Sequence, residues 1–393
     1  MAPLTGIRVV ELCHFLAGPY AGLVLADLGA DVLKVEDPTH PDDARSMGPH
    51  FQAGQSLYFT ALNSGKRSVG VRLGTDEGRA VVEDLVRTAD VVIDNYRPGV
   101  LAKLGLGSEA LHGVNPAVIT CSLTGYGQTG PDAQRPGYDY TIQARAGVMS
   151  LAGEPEGPPT KAGISYVDHS GGISAALGVC AALVERSRTG VGTHVDLGLF
   201  DVQISMLTYL ASWQRNCDAE FARTANSAHP SLVPAQNFRT ADGHLALFVG
   251  NEGMWRRFVV AVGDPALTDE RFATRERRFA TRDEVIERIQ RVLLTATSRE
   301  WEQRLGDAGV ACGTVNDVAG ALAEPQTAAR GLVVESEHPV YGRYHHLRGP
   351  LPAQATESVL PAPLLGEHTD EVLSALGYPR DRIDGLRGSG VVA

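Results

Sequence analysis

The sequence is poor in the features that mark secreted, membrane-spanning and nucleic-acid-binding proteins. It contains no CxxC pair and no Cys/His cluster, so it indicates neither a disulfide framework nor a metal site. No apolar run reaches about 18 residues and no signal-peptide pattern opens the chain, so we expect no membrane span and a cytoplasmic location. The net charge of −11 disfavours nucleic acids and anionic membranes as partners. The few cysteines are scattered: Cys13, Cys121, Cys180, Cys217 and Cys312.

What the sequence does contain is an ordinary globular composition, with 43% hydrophobic and 21% charged residues, and a length that predicts two or three domains. Residues 7–12 and 31–36 have the composition of strands, and residues 18–28 that of a helix. This order predicts a parallel strand pair with a right-handed crossover. Because no GxGxxG follows the first strand, a nicotinamide cofactor is not indicated. Further strands are predicted at residues 69–73, 90–94 and 116–123.

Two loops that follow predicted strands have sequences suited to ligand binding. Asn95, Tyr96 and Arg97 come directly after a strand, and ligands of open α/β sheets lie outside the carboxyl ends of the strands. A helix-entry turn with an exposed arginine explains the same pattern equally well. Residues 124–131 are rich in glycine, which allows a ligand to approach the backbone closely.

Asp168 stands at the centre of the most distinctive segment, residues 160–201. It lies between a β-leaning run at residues 163–167 and a predicted helix at residues 170–188 that begins with small residues. An aspartate at the start of a helix is commonly an N-cap. The glycines that follow it also allow a bulky ligand to come close, so the residues alone leave both interpretations open.

Together these segments resemble the family III CoA-transferases, also called the CaiB/BaiF family, which includes formyl-CoA transferase and the α-methylacyl-CoA racemases. The resemblance covers nearly the whole chain. It is carried by AGPYAGLVLADLGADVLKVE at residues 17–36, YGQTGP at 126–131, Asp168 with its small-residue helix, RSRTG at 186–190, HVDL at 194–197 with Asp201, and LLGEHT at 364–369.

The resemblance implies that Asp168 is a nucleophile. An acyl-CoA:carboxylate CoA-transferase of this type moves coenzyme A between acids through an aspartyl mixed anhydride and an aspartyl-CoA thioester, which divides one exchange into easier steps. Acyl-CoA and a carboxylic acid are then substrates, and no tightly bound cofactor is implied. The sequence does not identify the acyl donor or the acceptor.

The resemblance also implies two sets of binding residues. A glycine run in formyl-CoA transferase is represented here only by Gly250 and Gly253, which makes a mobile lid there less certain. The implied substrate-binding residues are Tyr138, Asp139, Gly125, Tyr126, Gln128, Gly250 and Gly253. The implied coenzyme A-binding residues are His14, Leu16, Ala17, Arg72, Asn95, Tyr96, Arg97 and Lys103.

Two alternatives remain open at this point. A 2-methylacyl-CoA racemase would use Asp168 as a base, but Tyr138 stands where the racemases carry a histidine base. A phenol with a pKa near 10 is a poor base at neutral pH compared with an imidazole near 6.5. The third interpretation is a non-catalytic acyl-CoA-binding or assembly protein in which Asp168 is only a helix cap.

Some basic positions of the relatives are replaced here, by Asp37 or Pro38, Gly74 and Pro136. Because the chain is acidic overall, a polyanion such as coenzyme A must be bound by local basic groups. The cations nearest in sequence, which we expect to take over, are Arg45, Arg72, Lys103 and Arg135.

The implied architecture is an α/β fold with a Rossmann-like parallel-sheet large domain and a smaller α+β domain. Residues 1–213 are assigned to the large domain and residues 225–330 to the small one, and residues 331–393 are expected to return to the large domain. Relatives form interlocked homodimers, so the resemblance implies a second copy of the chain as a partner.

Overall fold

In the computed structural model, which describes residues 2–355 and 359–393, the chain forms two compact units. The first consists of Met1–Ala146, Gly163–Thr208 and Glu324–Ala393, and the second of Gly147–Ala162 and Tyr209–Ala323. The strands are β1 (Arg8–Leu12), β2 (Asp31–Glu36), β3 (Lys66–Gly70), β4 (Val91–Asp94), β5 (Ile119–Thr124), β6 (His194–Gly198), β7 (Ala235–Arg239), β8 (His244–Phe248), β9 (Ala311–Thr314), β10 (Val333–His338) and β11 (Gly342–Leu347).

The α-helices of both units follow the same chain order. They are α1 (Ala17–Asp27), α2 (Leu57–Asn63), α3 (Asp76–Arg87), α4 (Val100–Lys103), α5 (Ser108–Val114), α6 (Asp139–Arg145), α7 (Tyr166–Thr189), α8 (Leu199–Met206), α9 (Thr208–Cys217), α10 (Glu252–Val262), α11 (Arg275–Ala280), α12 (Arg282–Leu293), α13 (Ser298–Asp307), α14 (Val318–Ala323), α15 (Pro325–Ala329), α16 (Thr369–Ala375) and α17 (Arg380–Gly388).

The first unit is built on a six-stranded parallel sheet with the strand order β3-β2-β1-β4-β5-β6. This is the order of the doubly wound dinucleotide-binding fold, so the Rossmann-like α/β prediction is confirmed. The strand order reverses between β1 and β4. Ligands of such sheets bind at that reversal, outside the carboxyl ends of the strands, and the functional site is expected there.

Both faces of this sheet are covered, because alternate residues of a strand point to opposite faces. Val9 of β1 packs into the cluster that contains α1 and α7, whereas Val10 packs into the cluster that contains α3 and the C-terminal helices. With both faces covered, β1 and β2 are buried at every residue but the first rather than at alternate residues.

Helix α7 packs closely against α1 because its first half is made of small residues. A β-carbon at Gly172 would lie 2.7 Å from the carbonyl oxygen of Ala17 and 3.0 Å from the ring of Tyr20, so only glycine fits at this crossing. By length and composition alone, α7 is apolar enough to span a membrane, which makes it the one such helix among the described residues. The sequence-based expectation of no membrane span stays a prediction.

The second unit contains an antiparallel sheet in the order β9-β8-β7, with β7 and β8 joined by a turn that contains Asp242 and Gly243. Its core includes Trp255, Phe258 and Trp301 from α10 and α13. Arg278 is fully buried beside them. Its guanidinium pairs with Glu252 at 2.8 Å and donates hydrogen bonds to two backbone carbonyls, so the buried positive charge has both a carboxylate and hydrogen-bond acceptors as partners.

The division of the chain differs from the predicted boundaries in residues 147–162, which belong to the second unit rather than to residues 1–213. The reason is local: Arg223 donates to the carbonyl oxygens of Glu154, Pro155 and Gly157. The second unit also begins at Tyr209 and ends at Ala323 instead of spanning residues 225–330. Residues 356–358 of the predicted C-terminal segment lie outside the described residues.

Two further elements differ from expectation. Residues 163–167 form no strand, because α7 begins at Tyr166, four residues earlier than predicted. The helical segment from Leu199 to Cys217 is divided into α8 and α9 at Thr208, whose backbone has a φ of +33°. The earlier start of α7 matters for the site, since it places Asp168 inside the first helical turn.

Candidate active site

A cavity of about 320 Å³ lies in the first unit where the strand order reverses. Its wall is formed by the loops after β1, β4 and β5 and by the first turns of α1, α7 and α8. Nine of the residues predicted for the site line it: His14, Leu16, Ala17, Asn95, Tyr96, Arg97, Gly125, Tyr138 and Asp168. These come from segments that are up to 154 residues apart in the sequence, from His14 to Asp168.

Asp168 is the third residue of α7 and faces this cavity. The helix is preceded by Ser165 as its N-cap residue, so Asp168 is not the cap, and its carboxylate receives no hydrogen bond from the part of the chain that the structure describes. Burial, and to a lesser extent the nearby negative charge of Asp139, together raise the pKa of Asp168 to about 7. A partly buried, unpaired carboxyl in a cavity is typical of a catalytic group rather than of a structural one.

Asp139 lies behind Asp168 rather than in the cavity wall. It is buried, and its carboxylate accepts the backbone N–H of Val167 at 2.9 Å and the side-chain amide of Gln143 at 2.8 Å. The prediction that Asp139 contacts the substrate is therefore not supported by its location. Its carboxylate instead ties α6 to the first turn of α7 and fixes the residue that precedes Asp168.

The loop after β1 is fastened to the loop after β4. Asn95 accepts the backbone N–H of His14 at 2.9 Å and donates to the His14 carbonyl at 2.8 Å, and the His14 Nε2 lies 2.8 Å from the Tyr96 hydroxyl. Burial lowers the pKa of His14 and raises the pKa of Tyr96 to about 12, so both rings are neutral at physiological pH. Asn95 thus shapes the cavity through the backbone.

Two arginines supply the positive charge of the cavity. Arg97 is exposed and its guanidinium pairs with no carboxylate among the described residues, whereas Arg135 lies 3.3 Å from Asp132. Three other expected cations are elsewhere. Arg45 donates two hydrogen bonds to the carboxylate of Glu36. The other two, Arg72 and Lys103, are exposed and do not line the cavity.

Four other predicted substrate residues do not line the cavity. Tyr126 packs against Phe200, and the backbone N–H of Gln128 donates to the carboxylate of Asp196, because the loop turns away from the cavity after Gly125. Gly250 and Gly253 belong to the second unit, on either side of the start of α10. A role for these four residues in substrate binding stays a prediction.

The cavity wall also requires glycine at two positions, of which the sequence analysis singled out only Gly125. A β-carbon on Gly125 would lie 2.7 Å from the Cα of Gly137, and one on Gly137 would lie 2.6 Å from the Cα of Gly125. The two loops therefore touch backbone to backbone, and a side chain at either position would push them apart. The glycine-rich pattern of residues 124–131 hinted at Gly125, but its contact with Gly137 depends on the fold.

Phe15 is the most informative residue that sequence reasoning missed. It lines the cavity with its ring 6.2 Å, edge to face, from that of Tyr138, and its backbone has a φ of +61°. Non-glycine residues rarely adopt this conformation. No sequence signal distinguishes such a phenylalanine. The other lining residues not predicted are Asp43, Pro98, Leu123, Thr124, Ala133, Pro136 and Leu199.

Known proteins match this chain closely. Residues 4–369 match the family described as CoA-transferase family III. The chain is 43% identical over 388 residues to the succinate–glutarate CoA-transferase of Agrobacterium fabrum (strain C58), covering 95% of this chain and 96% of that protein. It is 35% identical over 397 residues to the succinyl-CoA:glutarate CoA-transferase of Mus musculus, covering 100% and 91% of the two.

The solved structures agree with the sequences. The crystal structure of a CaiB/BaiF family protein from Brucella suis has a TM-score of 0.83 to this chain at 38% identity, covering 95% of this chain and 99% of that one. The fold, the full-length sequence matches and the structural match all lead to the same assignment. This chain belongs to family III of the CoA-transferases and is itself a CoA-transferase, an enzyme that uses CoA thioesters as substrates.

Proposed function

We propose that the enzyme transfers coenzyme A between carboxylic acids with Asp168 as the covalent nucleophile. The observation that carries this proposal is the state of the Asp168 carboxyl, which faces the cavity without a hydrogen-bond partner among the described residues and has a pKa raised to about 7. Nothing in the described fold restrains this carboxyl, so one of its oxygens is free to attack.

The proposed reaction has four covalent steps. An oxygen of Asp168 attacks the thioester carbonyl of the donor, the carbon–sulfur bond breaks, and the CoA thiolate leaves a mixed anhydride behind. The thiolate then attacks the side-chain carbonyl of Asp168, which releases the donor acid and forms an aspartyl-CoA thioester. The acceptor carboxylate and the thiolate repeat these two steps in reverse order, and the Asp168 carboxylate is regenerated without net proton transfer.

The environment of Asp168 suits these steps. Burial removes water from the carboxylate and raises its basicity, and a more basic carboxylate is a stronger nucleophile. At pH 7 about half of the enzyme then carries the ionised form. Exclusion of water also protects the anhydride and the thioester from hydrolysis.

We further propose a C4 or C5 dicarboxylate as the acid substrate, with succinyl-CoA as donor and glutarate as acceptor. The two relatives that are 43% and 35% identical to this chain are named for these acids. Arg97, which has no carboxylate partner among the described residues, offers one free positive charge in the cavity for an anionic substrate.

A trapping experiment tests both the nucleophile and the donor. The enzyme is incubated with succinyl-CoA, acetyl-CoA, propionyl-CoA or formyl-CoA, treated with hydroxylamine, and digested for peptide mass spectrometry. We expect a hydroxamate on Asp168 with succinyl-CoA, lost in Asp168→Ala and retained in Asp76→Ala, which changes an exposed aspartate of α3. A folded enzyme that transfers CoA without any adduct at Asp168 would exclude this mechanism.

We also propose that the enzyme acts as an interlocked homodimer. Support comes from an apolar face on α7, where Ile173, Leu177 and Val184 are 40%, 70% and 60% exposed in the single chain. A second copy of the chain would cover this face and remove the apolar surface from water. Sedimentation equilibrium should therefore give twice the chain mass, and Leu177→Asp should shift it towards the monomer. A wild-type monomer at micromolar concentration would contradict the proposal.

A further inference from the structure

Four charged side chains form a chain of ion pairs beneath the cavity. Glu11, Lys34 and Lys66 are completely buried, and Asp42 is 1% exposed. Lys34 Nζ lies 3.2 Å from Glu11 and 2.9 Å from Asp42, and Lys66 Nζ lies 2.7 Å from the second oxygen of Glu11. Two positive and two negative charges therefore balance each other in a place that water does not reach. Burying charged groups costs free energy of desolvation, so the contacts that these four side chains make with the rest of the structure are of interest.

Their remaining contacts are made to the backbone of the turn that joins β1 to α1. Lys34 donates to the carbonyl oxygen of Cys13 at 2.8 Å, Lys66 donates to that of Pro19 at 2.7 Å, and Asp42 accepts the N–H of Phe15 at 2.9 Å. These three hydrogen bonds hold the chain before the turn at Cys13, within the turn at Phe15, and after it at Pro19 in the first turn of α1. His14, Phe15, Leu16 and Ala17, which lie between the outer two contacts, all line the cavity.

The central contact falls on the strained residue of the turn. Phe15 has a φ of +61°, a left-handed conformation that is strained for any residue other than glycine. Such a conformation persists only where the surroundings enforce it. Asp42 enforces it through its hydrogen bond to the Phe15 N–H, and Lys34 in turn holds the carboxylate of Asp42. This conformation directs the Phe15 ring to the cavity wall beside Tyr138.

We propose that Asp42 is a positioning residue of the CoA-transferase: it acts through Phe15 to set the wall against which acyl-CoA binds. Asp42 does not itself line the cavity. The alternative is that the ion pairs only stabilise the sheet, in which case their loss would lower stability without changing ligand affinity. The proposal deepens the proposed function, because it takes the cavity as the acyl-CoA site.

A double-mutant cycle on ligand affinity distinguishes the two. The dissociation constant of free CoA is measured by calorimetry for the wild type, Asp42→Ala, Phe15→Ala and the double variant, together with the KM for succinyl-CoA. Asp42→Ala removes the acceptor of the Phe15 N–H, which an asparagine would retain. If Asp42 acts through Phe15, each single change should weaken binding about tenfold and the double variant should bind no more weakly than Phe15→Ala alone, because contacting residues that act as a unit are not additive. Asp76→Ala, the same chemical change on the surface of α3, should leave both constants unchanged.

Two outcomes would overturn the proposal. One is a folded Asp42→Ala enzyme whose melting temperature falls while its affinity for CoA stays at the wild-type value. The other is a double variant whose loss equals the product of the two single losses. If Asp42→Ala alone does not fold, the pair Lys34→Met/Asp42→Ala keeps the buried charges balanced and replaces it in the cycle. The affinity for free CoA is measured without turnover. A result that contradicts the role of Asp42 can therefore be told apart from the absence of the Asp168 adduct, which would contradict the proposed mechanism.

Discussion

Replacing Asp139 by asparagine should move the pH profile of the enzyme to lower pH. The pKa of Asp168 rises from 3.8 to about 7, first through burial and second through the charge of Asp139. Since the charge is the smaller of the two causes, removing it should lower the pKa by less than half of this rise, at most about 1.5 pH units. Catalysis by an ionised Asp168 would then persist further into the acidic range.

The assay is the pH dependence of kcat/KM for the acyl-CoA donor, which reports ionisation in the free enzyme. In the wild type it should fall tenfold per pH unit below a midpoint near 7, because the proposed mechanism requires the carboxylate form of Asp168. In Asp139→Asn the midpoint should lie between about pH 5.5 and 7. Ionisation of the acyl-CoA itself is common to both enzymes and does not contribute to the difference.

The same substitution has a structural cost that must be separated from the pKa effect. An asparagine still accepts the Val167 N–H through its carbonyl oxygen, but its amide group faces the amide donor of Gln143. An unsatisfied buried donor costs about 1–3 kcal/mol, so the variant should be less stable yet folded. Asp76→Asn serves as the matched control. A folded Asp139→Asn enzyme with an unchanged or higher midpoint would refute the role given to this charge.

Three further results are expected. Phe15→Gly should be about 0.5–1 kcal/mol more stable than Phe15→Ala in urea unfolding, the reverse of the usual order, because only glycine adopts a φ of +61° without strain. Burial lowers the pKa of His346 to about 4, below its unfolded value near 6.5, so its contribution to stability is complete above pH 6.5 and is lost as the pH falls. The free energies of unfolding at pH 4.5 and pH 7.5 should therefore differ by about 2–3 kcal/mol more in the wild type than in His346→Leu. Arg278→Met should destabilise the protein by about 3 kcal/mol or more, since it leaves a carboxylate and two carbonyls without their donor, whereas Arg277→Met on the surface should cost less than about 1 kcal/mol; equal losses would contradict the assignment of Arg278 to the core.

The parallel sheet was predictable from the sequence because it depends on local patterns. Residues 31–36 combine Val32, Leu33 and Val35 over a length typical of a buried strand, and the strand found there has these bounds. The short helix α2 was not predicted, since its seven residues give no periodic apolar face long enough to identify it. Helix α7 was placed four residues too late, because Tyr166 and Val167 favour strands by composition.

The residues of the site also divide into those that the sequence could predict and those that it could not. Asp168 and the loop from Asn95 to Arg97 were located by position relative to predicted strands and by resemblance, and both line the cavity. Asp139 could not be assigned from sequence, because whether a carboxylate faces a ligand or a backbone N–H depends on how α6 meets α7. The conformation of Phe15 depends on Asp42, 27 residues further along the chain, and no local pattern records that contact.

The closure of the large sheet at its outer strand has a consequence for biosynthesis. The N–H of Gly70 at the end of β3 donates to Thr369, and Val71 is bridged to Val392, so residues from the last tenth of the chain complete this edge. More than 250 residues, including the whole of the second unit, are translated between the strand and its cover. During that interval β3 is an unprotected edge that can pair with another nascent chain. Conditions that slow elongation late in the message should therefore lower the soluble yield more than conditions that slow it early.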